Sequence, residues 1–167
     1  MISVSNLSKN YGNVKAVDSI SFDLKDGEVV GFLGANGAGK TTTLKMITGY
    51  LVPTNGEIKV NGLDIVDNTS EIQEMIGYLP ELNPLYTEMR VYDYLEFLGS
   101  IRNIKGSDFK QALSRVVDKC GLSGVVHKVI ADCSKGYKQR IGLAAAMIHD
   151  PKTVSYTHLR AHETIAD

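Results

Sequence analysis

The sequence predicts an α/β fold in three parts: a core built around a phosphate-binding loop, an N-terminal antiparallel β subdomain, and an inserted helical subdomain. Three observations predict it. Gly34-Ala35-Asn36-Gly37-Ala38-Gly39-Lys40-Thr41 fits the pattern G-x-x-x-x-G-K-S/T at every fixed position. Residues 2–24 alternate apolar and polar with the period of strands. From Val91 to Ile148 apolar residues recur at helical spacing instead.

Taken in order, Ile2, Val4, Leu7, Val14, Ala16, Ile20, Phe22 and Leu24 mark strands of a half-exposed antiparallel sheet. Asp26-Gly27 is a turn. Val29-Val30-Gly31-Phe32-Leu33 reads as a buried strand feeding the loop, and Thr42 to Thr48 as the helix leaving it. Strand, glycine loop and helix together define a P-loop NTPase core. Residues 56–60 form another alternating strand, closed by the Asn61-Gly62 turn. Glu71–Met75 is a short helix and Ile76–Leu79 a short strand ended by Pro80. Val91, Tyr94, Leu95, Leu98 and Ile101 then give one helix. Ala112, Leu113, Val116, Val117 and Cys120 give a second, with Gly121 as its stop signal. A third, from about Tyr137 to Ile148, buries Ile141, Ala144, Ala145 and Ile148 and ends at Asp150-Pro151. Residues 85–135 thus read as a helical insertion whose apolar stripes are packing faces without chemistry.

Composition narrows the function classes. At 167 residues the chain is about one domain, large enough to bury a core. Eighteen Lys and Arg stand against 19 Asp and Glu, a net charge of −1. Such a balance argues against nucleic acid or an anionic membrane surface as the main partner. Cys120 and Cys133 have no C-x-x-C spacing and read as reduced thiols. The first residues lack a basic stretch followed by an apolar one, and no run of 18 apolar residues occurs. The expectation is a soluble, intracellular chain.

The loop carries the chemistry. Its glycines allow a tight turn in which successive N–H groups point inward and cradle β- and γ-phosphates. Lys40 adds positive charge on those phosphates, and the Thr41 hydroxyl is placed to ligate Mg²⁺. A glycine-rich turn with an idle lysine is the competing reading, and it leaves the flanking strand and helix unexplained. The motif implies binding of a nucleoside triphosphate.

A second segment, Ser134-Lys135-Gly136-Tyr137-Lys138-Gln139-Arg140, opens the third helix. Alone it reads as an N-cap. Downstream of a P-loop it resembles the signature of the ATP-binding cassette (ABC) ATPases, the nucleotide-binding subunits of ABC transporters. The family's L-S-G-G-Q appears as a variant, with Cys133 in the Leu place and Lys135 in that of the first Gly. The wording through Ile141-Gly142-Leu143 to His149-Asp150-Pro151 is similar to members serving drug, antibiotic or gliding-motility exporters. The resemblance covers residues 2 to about 152, as a partial ATP-binding domain 1–152 with a helical subdomain at about 85–135 and a signature helix at about 136–149.

The resemblance implies ATP and Mg²⁺ as ligands and an ATP-hydrolysing subunit coupled to transport, on the export side. It implies membrane-spanning permease subunits as partners and a cytoplasmic location, peripheral on the inner face of the membrane. Tyr11 matches the aromatic that stacks on adenine, against a surface tyrosine as the alternative. Val17, Gly34, Ala35, Asn36, Gly37, Ala38, Gly39, Lys40, Thr41 and Thr42 complete the nucleotide set. In an ATP-dependent head-to-tail dimer, Ser134, Lys135, Gly136, Tyr137 and Gln139 would face the ATP of a second ATPase domain. Glu81 stands where the family has the Gln that contacts Mg²⁺ and the attacking water. A carboxylate ligates Mg²⁺ but repels the γ-phosphate, so a metal role and a solvated loop glutamate both stay open. The alternative function is an ABC-type ATPase without a membrane partner, in translation or DNA repair. Such proteins carry two cassettes or a long coiled-coil insertion, and neither is seen. A small P-loop kinase would need an arginine-rich lid.

After Lys152 the family continues with an apolar strand ending in Asp-Glu, the Walker B. Residues 153–167 contain neither. Val154 to Thr164 looks like a translated sequencing adapter, so 153–167 is expected to be a non-native tail and the fold incomplete at its C-terminus. The expectations that follow are an exposed Val29 and Phe32, nucleotide binding without hydrolysis, and no zinc at His158, His162 and Glu163, whose order is not H-E-x-x-H.

Overall fold

The computed structural model describes residues 1–156. It divides into two compact units, Met1–Glu74 and Met75 onward. Residues 157–167, including His158, His162 and Glu163, lie outside the described residues.

The first unit is built on an antiparallel sheet in the order β2-β1-β3-β4. Its strands are β1 (Ile2–Tyr11), β2 (Val14–Leu24), β3 (Asn55–Val60) and β4 (Leu63–Asp64). Alternation works as predicted: Ile2, Val4, Leu7, Ile58 and Val60 are buried, each at most 4% exposed. The β1–β2 register shifts between Val4 and Leu7, where Asn6 adopts positive φ, and again between Leu7 and Lys9, opposite Ser19, which also has positive φ. Side chains satisfy the freed amides. Asn6 N–H donates to Ser21 Oγ at 2.8 Å and Ser19 N–H to Ser8 Oγ at 2.9 Å. Helix α1 (Lys40–Ile47) buries Thr43, Met46 and Ile47. Helix α2 (Thr69–Met75) begins two residues before the predicted start at Glu71, and its Gln73 Nε2 amide donates to Gly49 O at 3.2 Å.

The buried strand read for Val29–Leu33 does not form, while the expected exposure of Val29 and Phe32 does: Val29, Val30, Phe32 and Leu33 are all exposed. Apolar character selects burial only when a neighbouring strand supplies both hydrogen bonds and cover; no described strand pairs with this segment. Phe32 instead meets the Phe22 ring at 5.7 Å.

In the second unit β5 (Ile76–Leu79) pairs in parallel with β6 (Thr153–Tyr156). Sequence reasoning excludes residues 153–156 from the fold, whereas the structure pairs them from Ile76↔Thr153 to Leu79↔Tyr156. Thr-Val-Ser-Tyr is rich in β-branched and aromatic residues, which is enough to pair beside a buried strand. Helices α3 (Val91–Ile101), α4 (Gly106–Lys119) and α5 (Lys135–Met147) enclose one apolar cluster, with Val91, Leu95, Val116, Leu122, Ile130 and Ile141 fully buried. The predicted stripes are the packing faces except at Ile101, which is exposed, while Leu98, Leu113, Val117 and Ala145 are half-buried. No side chain caps α3; the first amides, Val91 and Tyr92, donate to Lys128 O and Val126 O at 3.0 and 2.8 Å. At the other end of the unit, the Arg115 guanidinium donates to Ile148 O at 3.1 Å, meeting the C-terminal dipole of α5. Both cysteines are free and buried. Burial pushes the Cys120 thiol up, with Arg140 and Lys119 opposing, so it behaves as an apolar side chain.

His149 follows α5, half-buried, and its Nε2 has no hydrogen-bond partner. Burial holds its pKa below the ordinary 6.5, Arg102 and Arg115 act the same way, and an Ile76 backbone hydrogen bond and Asp150 oppose them. The unfolded chain therefore binds the proton more readily. The stabilisation is full above about pH 6.5 and is lost as pH falls below it. The urea midpoint should drop between pH 7 and 5 by more in the wild type than in His149→Gln; parallel curves would show that His149 does not contribute.

Candidate functional site

The geometry of the glycine loop starts at Gly39. Its φ of +82° is left-handed, and a methyl built there would lie 2.3 Å from Ala16 O and 3.0 Å from Val17 Cγ2. Only glycine fits both constraints. The same residue is the N-cap of α1, and no side chain caps the helix. Thr43 N–H is the first amide to bond back, to Gly39 O at 2.8 Å. The amides of Lys40, Thr41 and Thr42 are those that helix geometry leaves without an intrahelical partner. An uncapped helix start with its positive dipole end is an anion site.

Lys40 lies across the loop. Its Nζ donates to Gly34 O and Ala35 O, both at 2.7 Å. Ala38 N–H closes the turn on Ala35 O at 3.2 Å. The ammonium is thus already at the loop's own backbone, on a helix whose first turn holds no acidic residue. Gly34 to Ala38 and Thr41 are exposed, while Gly39, Lys40 and Thr42 are half-buried. These residues suit a polyphosphate: amide donors, one cation, and no competing carboxylate. A Mg²⁺ ion fits less completely. Thr41 offers one hydroxyl, and the described residues contain no group of three His, Cys, Asp or Glu able to hold a metal. Such an ion would take its remaining ligands from phosphate and water.

The β1–β2 hairpin brings Val17 against Gly39, as its contact above shows. Tyr11 is the last residue of β1, opposite Val14 across the hairpin turn, and half-exposed at 51%. The loop and the hairpin therefore meet within one unit, through the Ala16–Val17 backbone.

The signature residues and Glu81 belong to the second unit. Ser134 is the N-cap of α5, its Oγ accepting from Tyr137 N–H at 3.3 Å. Ser134, Lys135 and Gly136 are exposed; Tyr137 and Gln139 are half-buried, with the Arg140 guanidinium 5.5 Å from the Tyr137 ring centre. Glu81 is exposed in the loop after β5.

Sequence reasoning missed Asn83. Its side-chain amide donates to Lys138 O of α5 at 2.8 Å. A methyl on Gly142 would lie 2.1 Å from that amide nitrogen. The only sequence trace is an unexplained glycine in a helix interior. This pair ties the loop carrying Glu81 to the helix carrying Ser134.

The description "ABC transporter" belongs to the family model that matches residues 17–155. The chain belongs to the ABC transporter family. Among relatives, the uncharacterized ABC transporter ATP-binding protein YxlF of Bacillus subtilis is 39% identical over 152 residues, which is 91% of this chain and 50% of YxlF. The bacitracin transport ATP-binding protein BcrA of Bacillus licheniformis is 36% identical over 91% of this chain and 49% of BcrA. The chain thus spans about half the length of these curated relatives. Among solved structures, cbiO1 of Clostridium perfringens, part of the ABC transporter complex cbiONQ, superposes with a TM-score of 0.82 at 26% identity. That match covers 93% of this chain and 64% of cbiO1. The ABC architecture accounts for the P-loop core, the antiparallel β subdomain and the helical insertion together.

Alanine is favoured over glycine inside a helix by about 0.8–1 kcal/mol. At Gly142 it would displace Asn83, losing a hydrogen bond worth about 0.5–1.5 kcal/mol and adding overpacking of about 1–3 kcal/mol. Gly142→Ala should therefore lower the thermal midpoint, and Asn83→Ala in the same chain should recover part of the loss. A higher midpoint for Gly142→Ala alone would place Asn83 off the helix.

Proposed function

We propose that this chain is the ATP-binding part of an ABC transporter subunit, in which ATP binding and hydrolysis drive movement of a substrate across a membrane, on the export side. The observation that carries the proposal is the uncapped start of α1, with Lys40 held over the loop by two carbonyls. Similarity to proteins named for bacitracin and multidrug transport supports the export reading. No helix among the described residues is long and apolar enough to cross a membrane, so permease subunits would supply the path. The chain would then work at the cytoplasmic face.

In this reading the residues have distinct tasks. The loop amides and Lys40 bind the β- and γ-phosphates, with the ammonium exchanging carbonyl partners for phosphate oxygens. Tyr11 stacks on the base and Val17 packs beside it. The Thr41 hydroxyl would hold Mg²⁺, which would neutralise charge on the phosphate oxygens. The exposed start of α5, at Ser134, Lys135 and Gly136 with Tyr137 and Gln139 behind, would meet the ATP of a second ATPase domain in an ATP-dependent dimer. That first turn is itself a helix N-terminus, suited to a γ-phosphate. Light scattering in saturating ATP and Mg²⁺ reads the pairing directly as a doubled mass.

A charge-assisted hydrogen bond is worth about 1.5–3 kcal/mol, or about 10- to 150-fold in affinity. Lys40→Ala should weaken ATP binding by that factor in calorimetry. Equal affinity for the variant would remove the loop as the site.

Glu81→Gln separates the two readings of that carboxylate. If Glu81 holds the metal, the variant shifts the Mg²⁺ concentration needed for half-maximal ATP binding. Superimposable Mg²⁺ curves would leave Glu81 as a solvated loop residue.

A further inference from the structure

Lys9 stands two residues before Tyr11 on β1, on the same face of the strand. Its ammonium lies over the Tyr11 ring, 5.6 Å from the centre. The same Nζ donates to Val52 O at 2.7 Å. A lysine on a strand surface ordinarily sweeps through solvent, because its four-carbon stem has many rotamers. Here a second anchor removes that freedom and fixes the charge against one face of the ring.

The anchor is not an isolated loop atom. Thr54 N–H donates to Ser8 O at 2.9 Å, and Asn10 N–H to Thr54 Oγ1 at 3.0 Å. Residues 52–54 are therefore fastened along β1 at Ser8, Lys9 and Asn10 in turn. At its other end, this segment grows out of α1: Tyr50 and Leu51 N–H donate to Lys45 O at 2.8 and 3.1 Å. Hydrogen bonds at Lys45 O and Val52 O, joined by the backbone between them, thus link the helix that starts at Lys40 to Lys9, whose ammonium lies over the Tyr11 ring.

We infer that Lys9 is a positioning residue for the nucleotide base: held by Val52 O, it braces one face of the Tyr11 ring so that the other is presented to a purine. The inference rests on the assignment of Tyr11 as the stacking residue. Two effects act together. A cation on one face holds the ring in place, which reduces the ordering that stacking would otherwise require. It also draws π density toward itself, which favours an electron-rich purine on the opposite face. Neither effect touches the phosphates, so the contribution of Lys9 belongs to the base alone.

That separation supplies the test. Calorimetry with Mg²⁺ would measure binding of ATP and of inorganic triphosphate to the wild type, Lys9→Met, Lys9→Arg, Tyr11→Ala and the Lys9→Met/Tyr11→Ala double variant. Methionine keeps the apolar stem, and circular dichroism checks that each variant is folded. Lys9→Met should weaken ATP by about three- to tenfold and leave inorganic triphosphate unchanged. Lys9→Arg should retain most of the ATP affinity, since guanidinium also sits over an aromatic face. The double variant should bind ATP no more weakly than Tyr11→Ala alone. Unchanged ATP binding in Lys9→Met overturns the inference, as does equal loss of both ligands, which would mark Lys9 as a general support of the fold. Additive losses in the double variant would also overturn it. If the wild type binds triphosphate but Tyr11→Ala leaves ATP affinity intact, the Tyr11 assignment falls and takes the inference with it, while the phosphate site stands.

Discussion

The close approach of Gly39 to the Ala16 carbonyl sets the geometry of everything around the phosphate loop. A side chain at that position would collide with backbone, which has no rotamer in which to escape. With glycine there, the chain turns left-handed and enters α1 without a capping side chain. A serine or aspartate at the N-cap would have satisfied the first amides internally and made the helix a better helix. Its absence leaves donors and a positive dipole end pointing at one small volume. The same contact sets the β1–β2 hairpin beside the loop, so Val17 arrives with it. Lys40 then finds its partners on the loop's own carbonyls, a stand-by arrangement that costs little to exchange because both partners remain able to bond water.

The second unit is held by different means. Its cluster of Val91, Leu95, Val116, Leu122, Ile130 and Ile141 is fully buried, and the helix ends that surround it are satisfied by neighbouring segments. Val126 and Lys128 carbonyls close the start of α3, and Arg115 closes the end of α5. Such cross-links make α5 a fixed body rather than a helix that frays at will. The end of α5 left in solvent is its start, at Ser134 to Gly136.

The parts of the fold legible in the sequence were those written by local periodicity. The alternation of β1 to β3, the Asn61-Gly62 turn, the four residues of β5 and the span of α3 all follow from patterns within about ten residues. The loop was legible for a different reason: backbone chemistry at a phosphate demands glycines at fixed spacing. What could not be read depended on partners far along the chain. The apolar run Val29–Leu33 specifies a strand only if another strand lies beside it. Residues 153–156 looked unlike a core strand, yet Ile76–Leu79 offers them an edge. Asn83 is invisible because its partner, Lys138 O, is a backbone atom 55 residues away. The two-residue offsets at the starts of α2 and α5 are of the ordinary kind, since capping residues lie outside the apolar stripe.

Ser134 shows why a bland reading and a functional one need not compete. As an N-cap, its hydroxyl uses an oxygen lone pair to accept from Tyr137 N–H, at the long distance of 3.3 Å. A hydroxyl carries one donor and two acceptor sites, so the cap leaves the proton and one lone pair uncommitted. An anion at the helix start calls on the proton. Capping and anion binding therefore draw on different parts of the same group, and the cap fixes the rotamer from which the proton can be offered. On the proposed reading, Lys135 in the following position would favour an approaching phosphate by its charge without occupying the amides. On that reading, the cap that marks the helix boundary is also what would make the boundary usable as a site.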